Sequence, residues 1–181
     1  MEKNKEYILE EKVKEQKTPK VIKEIIPYII IIFVVLFIKA YIISPIQVNG
    51  ESMDNTLKHG DIMILNKIKY QRNGVERFDI VVVDDEGTSI IKRVIGLPGE
   101  VIEVIDNKLY IDGKLYKEEY LDEDTVTYDF TTKVDEDCYF VMGDNREKSK
   151  DSRLIGCIKK ENIEGIAKLT IFPFNRIGNK K

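Results

Sequence analysis

The chain has 181 residues, 43% of them hydrophobic and 34% charged, and a formal net charge of −3. This length fits one domain, or one domain with a tail, and the apolar content is sufficient for a core. The negative charge argues against nucleic-acid binding. Two cysteines, Cys138 and Cys157, do not make a disulfide framework. They could pair if their strands adjoin, or they could be two separate buried thiols.

The first residues form a charged arm with little apolar periodicity, which is typical of a solvated segment without a packed core. Glutamates nearly balance its lysines, but the rule that relates basic residues to the cytoplasmic side counts Lys and Arg rather than net charge. We therefore assign residues 1–24 to a cytoplasmic N-terminal arm. Its first twenty residues contain Lys3, Lys5, Lys12, Lys14, Lys17 and Lys20.

An apolar run over residues 25–43 predicts a transmembrane helix. About 19 helical residues cover roughly the 30 Å of a bilayer's hydrocarbon core. Tyr28 and Tyr41 lie near its two ends, where interfacial aromatic side chains belong. A cleaved signal peptide fits less well, because the run and the arm are both long and no small-residue cleavage site follows. A buried core helix is the other alternative, although nothing polar interrupts residues 29–38. The lysine distribution places residues 44–181 outside the cytoplasm.

Those remaining residues predict an extracytoplasmic, mostly β domain. Asn107 and Asp112 followed by glycine are turn signals within a meander over residues 101–116. We expect the acidic segment 121–137 to be a solvated insertion, and only residues 160–163 suggest a helical turn. Short runs rich in β-branched residues predict strands at 46–48, 61–65, 78–83, 89–95, 100–105, 108–111, 138–142 and 165–171.

Ser52 is a candidate nucleophile just after the apolar run. A serine needs a partner that accepts its proton. The single histidine, His59, is only seven residues away, whereas triads usually draw on separate segments. A lysine kept neutral by burial is the other route, and Lys92 lies in the apolar stretch 90–95. Taken alone, each of these residues is more often an ordinary serine or an outward-facing lysine.

Three motifs that occur in order favour a catalytic role for Ser52 and Lys92. They are Gly50-x-Ser52-Met53, then Lys-Arg-Val-Ile-Gly-Leu-Pro-Gly at 92–99, then Gly-Asp-Asn-Arg-x-x-Ser-x-Asp-Ser-Arg-x-x-Gly at 143–156. With them the chain resembles the bacterial type I signal peptidases (leader peptidases), from the membrane segment to the end. The third motif is long and specific, whereas the Ser-Met motif alone is weak. The single span and compact domain resemble the Gram-positive members.

The resemblance implies a membrane-bound Ser/Lys serine endopeptidase with an antiparallel β-sheet domain. It would remove signal peptides from exported proteins at the outer side of the cytoplasmic membrane, working alone. Ser52 would be the nucleophile and Lys92 the general base. Ser149 would hydrogen-bond and orient the lysine, and Asp151 with Arg153 would brace the site. The sequence contains no metal-ligand cluster or phosphate loop, so we expect no cofactor and no metal.

The chain departs from the family pattern at two positions. Asn55 stands where the family commonly has proline, and this predicts a looser turn after Ser52. Gly50 stands where some members have a hydroxyl side chain that serves in the oxyanion hole. Only backbone N–H groups, chiefly that of Ser52, would then serve. Lys92 excludes the endoplasmic-reticulum branch, which has histidine there.

A signal peptide must bind in an extended conformation for its bond to reach the nucleophile. Strand addition is the simplest means, because main-chain hydrogen bonds give affinity and pockets give specificity. Residues 46–50 and 89–92 are the candidate flanking strands, and a shallow apolar pocket would accept a small residue such as alanine. The same side chains could instead be core. The candidate substrate-binding residues are Ile46, Val48, Met53, Leu57, Ser89, Ile90 and Ile91.

Two other classes of protein stay open. The first is a different Ser/Lys hydrolase: self-cleaving repressors lack a membrane span and carry a DNA-binding part, whereas pilin-maturation proteases are harder to exclude. The second is an inactive, membrane-anchored β-rich binding protein, which would tolerate loss of Ser52 or Lys92. The presence of all three motifs in order favours the enzyme, because a binding module has no reason to keep them.

Overall fold

The computed structural model of the protein describes residues 20–67, 70 and 74–180. The chain divides into two units, one up to Ala40 and one from Tyr41 onward. Residues 1–19, which make up most of the predicted cytoplasmic arm, lie outside the described residues.

The described residues of the first unit belong to a long helix, α1, which extends over Lys20–Tyr41. Its segment Val21–Lys39 has a mean hydropathy of 2.7, and none of it is buried within the protein. A helix that exposes apolar side chains on all sides is stable in apolar surroundings rather than in water. Among the described residues, α1 is the one helix long and apolar enough to cross a bilayer. It begins five residues before the predicted span, and Ile43 belongs instead to the first strand.

The second unit is mostly antiparallel β-sheet, as the sequence predicts. The β-branched runs form the strands because such side chains pack well on a pleated surface. In chain order the strands are β1 (Ile43–Gln47), β2 (Ile62–Asn66), β3 (Ile80–Asp85), β4 (Thr88–Gly96), β5 (Val101–Ile105), β6 (Lys108–Ile111), β7 (Lys114–Tyr116), β8 (Phe130–Lys133), β9 (Cys138–Met142), β10 (Ile158–Lys159), β11 (Ile163–Phe172) and β12 (Gly178–Asn179).

These strands form two sheets. The larger has the order β1-β2-β11-β3-β4-β9-β10, with β12 paired to β11, and the smaller has the order β7-β6-β5-β8. The sheets share an apolar cluster in which Ile95 and Phe140 of the larger sheet meet Ile102 of the smaller one. Gly96 allows this close approach, since a Cβ there would lie 2.8 Å from the Ile102 side chain.

Strand β4 crosses the centre of the larger sheet and carries the second motif. Lys92 lies opposite Val81 of β3, and Arg93 lies opposite Met142 of β9. The pairing with β9 covers only residues 93–96. In the described part of the chain, no strand pairs with that same edge of β4 before Arg93.

Two short elements differ from the sequence prediction. Strand β8 lies within the segment predicted to be a solvated insertion and pairs with β5. It is short, and none of its four residues is fully buried, so its apolar signal in the sequence is weak. A one-turn helix, α2 (Ser152–Ile155), follows Asp151, whose side chain caps it by accepting from the Arg153 N–H. The predicted turn near residue 160 is confirmed as a 3-10 turn over Lys160–Asn162.

The two cysteines form a disulfide. Cys138 lies in β9 and Cys157 directly precedes β10, the strand that pairs with β9. Their Cα atoms are 5.6 Å apart, within the ordinary range for a disulfide. The bond therefore closes the loop that holds the whole third motif.

We expect the double variant Cys138→Ala/Cys157→Ala to lose about 3 kcal/mol of unfolding free energy, because the bond closes a loop across a sequence separation of 19. Urea denaturation with and without reductant measures this. Reductant should destabilise the unsubstituted protein by a similar amount and leave the double variant unchanged. If reductant did not change the urea denaturation midpoint of the unsubstituted protein, this result would contradict the presence of the disulfide.

Candidate functional site

Ser52 and Lys92 lie in direct contact. The Lys92 Nζ donates a hydrogen bond to the Ser52 Oγ at 2.7 Å, across 40 residues of sequence. Lys92 is 3% exposed, and Ser52 is partly buried at the surface of the domain. A nucleophile and its base must be within about 2.6–3.2 Å for proton transfer. The two residues meet that requirement.

The environment of Lys92 favours the uncharged amine. Burial lowers the pKa of Lys92, because an ammonium ion loses its hydration in the interior. The carboxylates of Asp151, Asp144 and Asp85 oppose this effect, and the Arg153 guanidinium adds to it. The net pKa lies below the ordinary lysine value. Lys92 is therefore neutral over a wider pH range than a free lysine.

A tight turn holds Ser52 at the surface. The N–H groups of Thr56 and Leu57 donate to the Met53 carbonyl oxygen at 2.9 and 2.7 Å. Met53 and Leu57 are completely buried and anchor the turn in the core. Gly50 begins the turn with a φ of +98°, a conformation that glycine adopts at little cost. Ser52 is thus presented by a segment with buried anchors on one side.

His59 makes its hydrogen bond with Gly50 rather than with Ser52. It is exposed, and its Nδ1 accepts a hydrogen bond from the Gly50 N–H at 3.2 Å. The hydrogen bond to the Ser52 hydroxyl comes from Lys92 instead. His59 therefore supports the start of the turn.

The third motif approaches the nucleophile through its backbone. The Asn145 N–H donates to the Ser52 carbonyl oxygen at 3.0 Å. A Cβ on Gly143 would collide with that same oxygen and with the Ser149 side chain. Glycine at this position is what lets the two segments touch. The long motif and the Ser-Met motif are in this way brought together by close backbone contact.

Ser149 is buried beside this contact. Among the described residues its Oγ has no hydrogen-bond partner of ordinary geometry, and no bond joins it to Lys92. The hydroxyl is close enough to Asp151 to contribute to lowering the pKa of that carboxyl. Its role in orienting the lysine stays a prediction. A buried hydroxyl without a partner would gain a hydrogen bond by making that contact.

Asp151 and Arg153 form an ion pair, and their role in bracing the site stays a prediction. Burial by itself raises the pKa of Asp151, but hydrogen bonds from Arg153 and the Gly143 N–H outweigh it, so the pKa lies below the ordinary value. The guanidinium Nε and Nη2 donate to the two carboxylate oxygens at 2.9 and 2.8 Å. Gly143 N–H donates at 2.9 Å. The pair thus fixes the loop beside Lys92.

A second buried ion pair was missed at the sequence level. Arg93 and Asp144 are fully buried, with Nε–Oδ1 and Nη2–Oδ2 distances of 2.8 and 2.6 Å. Arg93 also donates to the Thr56 hydroxyl at 3.1 Å and to the Phe78 carbonyl at 3.0 Å. Its guanidinium carbon lies 3.9 Å from the centre of the Tyr120 ring. Arg93 therefore joins β4, the Ser52 turn and the third motif.

A sequence signal for this pair existed. Arg93 stands in an apolar run next to Lys92, and arginine is almost never buried without a partner. A buried guanidinium on β4 therefore calls for a carboxylate from another segment. Asp144 of the third motif is that carboxylate.

Asn55 anchors the Ser52 turn through its side chain. The amide Nδ2 donates to the Asp144 carbonyl at 3.2 Å and to the Thr125 hydroxyl at 3.1 Å. The looser turn predicted from the absent proline is offset by these two bonds between segments. An exposed ion pair adds a further link, since Glu51 and Lys148 lie 2.9 Å apart just before Ser52 and Ser149.

The predicted substrate-binding residues separate into groups. Val48, Met53 and Leu57 are buried in one apolar cluster, against which Ile46 and Ile91 pack while remaining partly accessible. The remaining two residues lie apart from that cluster. Ile90 packs against another cluster, and Ser89 is exposed and donates to Glu164 at 2.5 Å.

Comparisons with known proteins were made for the whole chain. The family model described as "Signal peptidase, peptidase S26" matches residues 19–172. Signal peptidase I P of Bacillus subtilis subsp. natto is 38% identical over 92% of this chain and 97% of that protein. Signal peptidase I of Bacillus licheniformis is 40% identical over 82% and 87%. Signal peptidase IB of Staphylococcus aureus is 37% identical over 84% and 92%.

One solved structure gives a further comparison. A crystal structure of a signal peptidase I from Enterococcus faecalis is 38% identical and covers 51% of this chain and 95% of that one, with a TM-score of 0.48.

We expect Arg93→Met to destabilise the second unit by about 3–5 kcal/mol. The substitution leaves the fully buried Asp144 carboxylate without its guanidinium partner. Urea denaturation followed by circular dichroism measures the loss. Lys148→Met is the matched control, because it breaks an exposed pair and should leave the midpoint unchanged. An Arg93→Met midpoint equal to that of the control would contradict the structural importance of the pair.

Proposed function

We propose, on the premise that this chain belongs to the signal peptidase family, peptidase S26, that it removes N-terminal signal peptides from exported proteins. The family makes it a serine endopeptidase. The observation that carries the assignment of the chemistry is the 2.7 Å contact between the Lys92 amine and the Ser52 hydroxyl.

In the first chemical step, neutral Lys92 accepts the proton of the Ser52 hydroxyl as Oγ attacks the carbonyl carbon of the scissile bond. A tetrahedral intermediate forms with its negative charge on the former carbonyl oxygen. The Ser52 backbone N–H is the chief donor for that oxygen, because Gly50 has no side chain to offer. Protonated Lys92 then gives its proton to the leaving amine, which is the new N-terminus of the exported protein. The signal peptide remains bound to Ser52 as an ester.

In the second step, Lys92 accepts a proton from a water molecule that attacks the ester carbon. Collapse of this second intermediate breaks the ester bond and returns a proton to the Ser52 oxygen. The signal peptide leaves with a free carboxylate. The same amine thus serves as base and acid in both halves of the reaction.

Burial supports a neutral Lys92, because the carboxylates of Asp151, Asp144 and Asp85 raise its pKa and do not outweigh the loss of hydration. Arg153 binds both oxygens of Asp151 and itself lowers the pKa of Lys92. Ser149 is next to this pair, with its buried hydroxyl available to the lysine. We assign Ser149, Asp151 and Arg153 to positioning the base.

Substrate binding is proposed to use two strand edges. The edge of β4 before Arg93 is unpaired on the side of β9, and β1 is the outer strand of the larger sheet. A peptide added along these edges would place its scissile bond at Ser52. Ile46 and Ile91 would form the accessible rim of a small apolar pocket. Val48, Met53 and Leu57 would form its buried floor.

The proposal includes a membrane anchor. Helix α1 spans the cytoplasmic membrane, with the N-terminal arm in the cytoplasm and residues 44–181 outside it. The exposed apolar surface of Val21–Lys39 supports the span. Six lysines in the first twenty residues support the orientation. The signal peptide, itself an apolar membrane segment, would then reach the active site along the membrane surface.

We expect the rate of precursor cleavage to rise with pH and to level off above the lowered pKa of Lys92, because only the neutral amine accepts the serine proton. Lys92→Arg and Ser52→Ala should each abolish cleavage, with losses of at least about 10²–10⁴-fold, since a guanidinium stays protonated. Ser149→Ala should cost less. Mass measurement of a precursor's product provides the assay. An active Lys92→Arg enzyme would overturn the role of Lys92 as base, and His59 would be the next candidate.

Protease accessibility tests the orientation of the chain in the membrane. Protease added to intact cells or right-side-out vesicles should digest the domain after residue 44, because that domain lies outside the membrane. The same protease should leave a cytoplasmic marker protein intact. Protection of the domain in sealed vesicles, with digestion only after detergent, would contradict the N-in orientation.

A further inference from the structure

A second groove lies beside the candidate active site and has no role in the mechanism above. It is a cavity of about 800 Å³ between β8 and the segment around α2. Phe130 and Phe140 contribute apolar surface, with ring centres 5.7 Å apart. Tyr128 and Leu154 stand at its walls and are 80% and 75% exposed. Exposed large apolar side chains around a concavity commonly mark a binding site.

The groove follows the free edge of a strand. Residues 128–132 line it, and Phe130, Thr131 and Thr132 of these belong to β8. Because neighbouring side chains of a strand point to opposite faces, these three consecutive strand residues place the groove along the backbone edge. Strand β8 is the last strand of the smaller sheet, with β5 on its other side. An unpaired edge offers N–H and C=O groups to an added extended peptide.

The groove reaches the dyad through Ser149. This residue lines the cavity and also packs against Gly143, at the point where Gly143 touches the Ser52 carbonyl. The groove and the nucleophile are thus separated by one buried side chain. This short separation places the groove within reach of a polypeptide bound at Ser52.

The two arginines of the groove are already paired within the protein. Arg146 is paired with Glu118 at 2.5 Å, and Arg153 is paired with Asp151. Asp129 and Glu147 also line the groove, so a ligand needs no negative charge, and an uncharged peptide backbone with apolar side chains fits. The four residues of β8 extend about 13 Å, which sets the length of peptide that the edge can hold.

We infer that this groove binds the first residues of the exported protein, on the far side of the scissile bond from the signal peptide, by strand addition to β8. The inference rests on the proposed function and adds a second binding region to it. The two edges of β1 and β4 hold the signal peptide, so the chain after the bond requires another surface. Backbone recognition also suits substrates whose sequences after the cleavage site differ.

The test compares two peptide substrates with the same signal-peptide part. The short peptide ends one residue after the scissile bond, and the long peptide continues for six residues. We expect kcat/KM for the long peptide to exceed that for the short one by about tenfold or more. In Tyr128→Ala/Leu154→Ala the ratio should fall to about 2 or less, with the short peptide cleaved at the unsubstituted rate. Methylation of the backbone nitrogens after the bond should also remove the advantage.

Leu115→Ala is the matched control, since Leu115 is an exposed apolar residue in β7 at the opposite edge of the smaller sheet. It should leave the ratio unchanged. A long-to-short ratio of kcat/KM near one in the unsubstituted enzyme would contradict binding of the exported chain in the groove. A high ratio retained by the double variant would contradict it as well. Either result would leave the proposed protease function unaffected. If neither peptide were cleaved, the proposed function would fail. The inference that the groove binds the first residues of the exported protein would then fail too.

A crosslinking measurement does not depend on turnover. The Ser52→Ala protein is irradiated with a long peptide that carries a photoreactive residue three positions after the scissile bond. Adducts should map to residues 128–132 or 152–154. Adducts confined to other segments would contradict the inference.

Discussion

The burial of one lysine amine is the constraint on which the rest of this site depends. Lys92 loses its hydration inside the domain, and its pKa falls because the ammonium form is disfavoured. That loss of stability is acceptable only if the neutral amine has a partner, and the Ser52 hydroxyl lies 2.7 Å away. Position on a central strand is essential, because β4 is held by β3 on one side and by β9 just beyond the lysine. A loop lysine would swing out into water.

The two arginines beside Lys92 are each bound to a carboxylate. Arg93 is bound by Asp144 and Arg153 by Asp151, whereas Lys92 has no ion pair among the described residues. Both carboxylates raise the pKa of Lys92, and the Arg153 guanidinium lowers it. The two buried pairs also hold the third motif to β4 and to the Ser52 turn. The same contacts therefore set both the electrostatics and the geometry of the dyad.

Local substitutions in the chain are compensated by contacts between segments. Asn55 replaces the rigidity of a proline with two side-chain hydrogen bonds, one to Asp144 and one to Thr125. Thr125 belongs to the acidic segment that also leads into β8. The Ser52 turn is thus linked to the smaller sheet, whose free edge lines the second groove. Ser149 lines this groove and also packs close to the Ser52 carbonyl and to Asp151.

The sequence by itself determined the long apolar helix and most of the strands, and it indicated Ser52 and Lys92 as the candidate dyad. Apolar length, side-chain alternation and ordered motifs are local properties of a chain, so they can be recognised in the sequence alone. Only the tertiary structure decided that Cys138 and Cys157 pair, that Arg93 binds Asp144, that Ser149 makes no bond to Lys92, and that Val48, Met53 and Leu57 are core residues. Strand β8 also escaped prediction, because a four-residue edge strand without a fully buried residue has a weak apolar signal. Each of these features depends on which distant segments the sheet register brings together, and no local pattern specifies that register.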